Sequence, residues 1–124
     1  MTLRWILPAL AGATMVAAVA QAQQPEVYKA RLEPEARNVG LCIELDTSLR
    51  REHTLTVTGD AATLASSGGI RANMKQISPK VYENATVQMG ANQFRSVADL
   101  SKTPATLTIS DNRLGCRWSG VLGK

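Results

Sequence analysis

Cys42, Cys116 and His53 are the side chains with the most distinctive reactivity in this sequence, and they decide which chemistries come first. Two thiols can close a disulfide or hold a metal, and a histidine near neutral pH can act as a general base. A zinc site takes about four ligands, and one histidine with two distant cysteines does not complete the set. The cysteines therefore read as a Cys42–Cys116 disulfide, provided that the chain reaches an oxidising compartment. Glu44, Asp46 and Glu52 lie close to His53 in sequence, but no serine sits in a Gly-x-Ser-x-Gly elbow. A histidine that opens a strand is ordinarily a surface residue. No catalytic, cofactor-binding or metal-binding residue is assigned, and an enzyme built on His53 is the third of three functional readings.

Other candidates meet plainer alternatives. Ser66-Ser67-Gly68-Gly69 could cradle an anion with its backbone N–H groups. A phosphate loop would then need a helix and usually a lysine, whereas Ile70, Ala72 and Met74 alternate as a strand does, so the segment reads as a loop. Glu33 with Glu35, and Glu44 with Asp46, are carboxylate pairs along one stretch of chain and read as solvated charges. Asn84-Ala85-Thr86 matches the glycan acceptor pattern, which carries weight only in a eukaryotic host. Tyr82 and Trp118 could line a ligand pocket, but Trp118 shares the inward register of Cys116 and reads as core packed on the disulfide.

The compartment follows from the first 22 residues. Arg4 precedes an uncharged, mostly apolar run from Trp5 to Ala20, and Ala20-Gln21-Ala22 is a small-x-small triplet, so residues 1–22 read as a secretory signal cleaved between Ala22 and Gln23. The run is shorter than the roughly 20 residues of a membrane span and is interrupted by Pro8 and Gly12. Residues 23–124 then form one domain, periplasmic or secreted, and the short Ala-rich signal looks bacterial. No transmembrane segment remains after processing. The full chain carries a formal charge of +4, and loss of Arg4 lowers it by one. The basic residues are dispersed, Arg50-Arg51 is followed at once by Glu52, and few aromatics accompany them, which excludes a nucleic-acid interface.

The elements that must position these residues are strands. Val27 to Leu32 is a candidate strand, and Val39, Leu41, Ile43 and Leu45 alternate as a half-buried one. His53 to Thr58 and Ala61 to Leu64 flank Gly59-Asp60, a Gly-first pair suited to a type II′ hairpin that sets Val57 opposite Ala62 and Leu55 opposite Leu64. Ala105 to Ser110 and Arg113 to Trp118 flank Asp111-Asn112, which as a two-residue turn sets Ile109 opposite Leu114, Leu107 opposite Cys116 and Ala105 opposite Trp118. Phe94, Val97 and Leu100 at i, i+3 and i+6 predict a short helix near 93–100, with a bulged strand as the alternative. The expected fold is mainly β: a small antiparallel barrel or two-sheet sandwich of about seven or eight short strands with a single disulfide.

Function is read as a contest. The first reading is a non-catalytic binding or accessory module of the bacterial envelope. Its partner would be a protein, a glycan or an anionic lipid headgroup, with Ser67, Gly68, Arg113 and Arg117 as contact candidates. The second is a secreted inhibitor of a protease or lysozyme that presents a stiff loop at 65–69 or 101–104.

Overall fold

The computed structural model describes residues 24–124 apart from Arg37, Val39, Gly68, Gly90 and Ala91, and for 86–89 the backbone only. The segment 1–22 read as a signal, its expected cleavage point between Ala22 and Gln23, and the contact candidate Gly68 lie outside the described residues.

Alternation of apolar and polar residues builds the strands. His53, Leu55 and Val57 are buried on β3 (Glu52–Thr58), Ala62 and Leu64 on β4 (Ala61–Ser66), and Ala72 and Met74 on β5 (Arg71–Ser78), while their neighbours face outward. β6 (Val81–Met89), β7 (Asn92–Asp99), β8 (Thr106–Asp111) and β9 (Arg117–Val121) continue the same antiparallel meander. At the β3–β4 hairpin Gly59 has φ +63°, as the first position of a type II′ turn requires, and Val57 pairs with Ala62 and Leu55 with Leu64 as expected.

The first segment of chain closes the sheet. β1 (Glu26–Arg31) pairs with β3, and after Leu32 the two residues of β2 (Glu33–Pro34) pair with β9. Lys29 and Gly123 exchange two backbone hydrogen bonds, of 2.7 and 2.9 Å. The result is a nearly closed antiparallel barrel of nine strands in the order β1-β3-β4-β5-β6-β7-β8-β9-β2. Closure needs glycine at 120, because a Cβ there would lie 2.3 Å from the Arg31 carbonyl oxygen. Leu55, Leu64, Leu107 and Trp118 expose no surface, so no water-sized void adjoins them and the interior is packed rather than hollow.

Three expectations are corrected. The stretch read as a strand from Val39 to Leu45 instead holds a short 3-10 turn (Gly40–Cys42) that runs into a helix, α1 (Ile43–Leu49). Cys42, Leu45 and Leu49 stand at i, i+3 and i+7 and turn one face toward the core, and that helical period prevails over the period-two pattern. Conversely, the helix expected near 93–100 is strand β7, paired on both edges, with Phe94, Ser96 and Ala98 buried. Its inward face is mostly small, so Val97 and Leu100 dominated the apolar count. Third, the β8–β9 connection is longer than two residues, and Ile109 faces Trp118 while Leu107 faces Gly120. Asp111 remains paired with Phe94, its N–H donates to the Cys116 carbonyl at 2.8 Å, and its Oδ2 accepts the Leu114 N–H at 2.7 Å. The slip is four residues, an even number, so Cys116 and Trp118 still point inward as expected.

Candidate functional site

The meander gives the barrel two different ends. At one, the β4–β5 loop, the β8–β9 loop and the 35–51 insert that carries α1 come together. At the other are the β3–β4 and β5–β6 turns and the β7–β8 loop. The Cys42–Cys116 disulfide, with a Cα–Cα distance of 5.9 Å, ties the start of α1 to the β8–β9 loop. At the far end of α1, Thr47, Arg50 and Arg51 border a recess with Ser67 of the β4–β5 loop. Those two loops lie four strands apart in the sheet order, so the helix crosses the end of the barrel and caps it.

Directed polar contacts hold the cap in one place. The Trp118 indole Nε1–H donates to Asp46 Oδ1 at 2.8 Å, from the core side of β9 to the underside of α1. The Asn38 side chain mimics a strand: its Nδ2 donates to the Arg117 carbonyl and its Oδ1 accepts the Arg117 N–H, each at 2.8 Å. At the helix C-terminus, where carbonyls lose their intrahelical partners, Leu49 O accepts from His53 Nε2 at 3.0 Å and from the Arg51 N–H at 2.9 Å. Arg51 Nε donates to Thr47 O at 2.6 Å.

His53 is therefore a buried residue of the core, not the surface residue expected of a strand opener. Because a carbonyl only accepts, Nε2 carries the proton, and Nδ1 has no partner. Burial holds the ring below its ordinary pKa of 6.5, opposed by the bond to Leu49. None of its hydrogen bonds reaches a carboxylate or a nucleophile. Glu44 is exposed on α1, Asp46 is engaged by Trp118, and Glu33 pairs with Arg50 at 2.9 Å. Among the described residues no group of three or more His, Cys, Asp or Glu could hold a metal.

The outer surface of the cap is apolar where the core needs nothing from it. Leu41 is 63% exposed and Ile43 69%, one on either side of the buried Cys42. Between the two halves of the barrel the charges are sorted. All seven described arginines, Arg31, Arg50, Arg51, Arg71, Arg95, Arg113 and Arg117, lie in the half of the barrel under the cap. Four of the five lysines lie toward the opposite end, and Lys29 is at mid-strand. Six carboxylates share the capped half, several of them paired: Arg50 with Glu33, and Arg117 with Glu35 at 3.5 Å. The net field is thus slight, and what distinguishes this end is its arginines, since exposed aliphatics occur in both halves, with Val27, Ile77 and Val121 toward the other end.

The contact candidates fare unevenly. Ser67, Arg113 and Arg117 all lie at the capped end, although Ser67 is across the rim from the two arginines. The loops 65–69 and 101–104 fall at opposite ends and cannot form one surface. Leu41 and Ile43 were missed because alternation read them as the buried face of a strand, although the Cys42, Leu45, Leu49 spacing would have placed them outside. No family model, curated protein or solved structure matches the chain.

Proposed function

We propose that this protein is an exported, non-catalytic binding module that engages a protein partner through the capped end of its barrel. The observation that carries the reading is that Leu41 and Ile43, on either side of the buried Cys42, are both exposed on an insert anchored by a disulfide and side-chain hydrogen bonds. Fixing an epitope before binding removes ordering cost, and exposed apolar anchors at the end of the barrel that also holds the arginines are the composition that protein interfaces favour. A glycan or anionic headgroup is the weaker match, because the arginines are nearly balanced by carboxylates and, among the described residues, no aromatic platform accompanies them. The reading of residues 1–22 as an export signal supports an encounter in the periplasm or outside the cell.

The test is crosslinking of the mature protein in an envelope or secreted fraction, followed by titration of the recovered partner against the Leu41→Ser/Ile43→Ser double variant. Both side chains are exposed, so the variant should fold normally and bind at least about tenfold more weakly, as loss of central anchors does. A folded double variant with undiminished affinity would overturn the assignment of this surface. The same rigidity favours a second reading, in which the insert blocks the cleft of a hydrolase. That reading requires the recovered partner to be a protease or lysozyme that is inhibited stoichiometrically.

A further inference from the structure

The end of the barrel away from α1 carries a second feature, independent of the binding surface proposed above. There the strands leave a hollow of about 290 Å³, bordered by Tyr28, Val57, Tyr82, Leu100, Glu26 and Lys80. Tyr28 and Val57 lie on the inward faces of β1 and β3, so the floor of the hollow continues the core. Tyr82 is fixed across it, its hydroxyl donating to the Gly59 carbonyl at 2.8 Å. Gln24 and Gly59 also border it, so the aromatic and aliphatic faces of Tyr28, Val57, Tyr82 and Leu100 are set among polar groups.

The rim is where the charges differ. Glu26 is the carboxylate that borders the hollow, and it is already engaged, accepting the Tyr28 hydroxyl and lying 3.2 Å from Lys124 Nζ. Lys124 also stands 5.3 Å from the centre of the Tyr28 ring. Lys80, like Lys75 and Lys102, makes no direct ion pair among the described residues, although its charge acts on Glu26 across the rim. Its backbone is the one non-glycine position with positive φ among those described, at +62° in the turn after Pro79, where glycine or asparagine is the usual occupant. The Leu100 N–H donates to the Lys80 carbonyl at 2.8 Å and holds that conformation. A lysine kept in a left-handed turn, its ammonium in no direct ion pair at the lip of this hollow, is a backbone outlier of the kind found at ligand sites.

We propose that this mouth binds a small carboxylate with an apolar body, whose anion pairs with the Lys80 ammonium while its body lies against Tyr28, Tyr82 and Leu100. The probes are phenylacetate and, as the oppositely charged control, phenethylamine, each titrated into the mature protein and followed through backbone amide resonances. Phenylacetate should shift amides of the β1 start, the β5–β6 turn and Leu100, and phenethylamine should not. Lys80→Gly relieves the left-handed backbone and should raise Tm, yet it should weaken phenylacetate binding about tenfold, the scale of one lost charge-assisted contact. A purely structural Lys80 would gain stability with binding unchanged. The proposal is overturned if phenylacetate produces no shift at millimolar concentration, if its shifts map to the arginine-rich end, if phenethylamine binds equally well, or if Lys80→Gly binds as the wild type does.

Discussion

Trp118 and Asp46 join the last strand of the barrel to the helix over its end through one hydrogen bond of 2.8 Å, whose donor belongs to a fully buried side chain. An indole N–H has no second way to be satisfied there, so its acceptor matters more than its small size suggests.

Asp46→Ala should therefore lower stability by about 1–3 kcal/mol, the cost of leaving a buried donor without a partner. Asp46→Asn keeps a carbonyl oxygen in reach and should cost less. Urea unfolding followed by the fluorescence of Trp118 reads both variants. Equal, negligible losses in the two would mean that the bond does not hold the cap.

The disulfide should matter both to the cap and to the whole fold. Replacing both cysteines with serine releases a long loop in the unfolded chain and should cost about 2–5 kcal/mol. Hydrogen exchange should rise first across Gly40–Leu49, while the β3–β4 hairpin, which has its own register and turn, keeps its protection. Protein taken from its native compartment should begin at Gln23 and weigh two hydrogens less than the reduced chain.

The barrel was legible where residues large enough to register in a period also alternate, as in the hairpin around Gly59-Asp60. It was illegible where inward positions are small: Ser96 and Ala98 carry the buried face of β7, and a count of large apolar residues passes over them to Val97 and Leu100. The segment from Val39 to Leu45 satisfied two periods at once, and only the tertiary partners Cys116 and Trp118, distant in sequence, decide between them. The β8–β9 register failed through local chemistry, because the Asp111 carboxylate prefers the Leu114 N–H inside a longer loop to a place in a tight turn. The disulfide partners could be identified because there were just two cysteines to pair. The capped end could not, since it is assembled from loops on opposite sides of the rim.

His53 makes stability depend on pH in a defined direction. Its folded pKa is depressed by burial below 6.5, the value expected in the unfolded chain. Above that pH both states hold a neutral ring, and the bond to Leu49 O is fully present. As the pH falls through 6.5 the unfolded chain takes up a proton that the folded chain refuses, so stability declines until the folded ring can itself be protonated. The slope is bounded by one proton, about 1.4 kcal/mol per pH unit. Between about pH 6.5 and 5, before most carboxylates contribute, unfolding free energy should fall for the wild type and stay nearly level for His53→Gln, which retains a donor for Leu49. Parallel profiles for the two proteins would show that the ring is protonated in the folded state as readily as in the unfolded one, and that burial does not govern its charge.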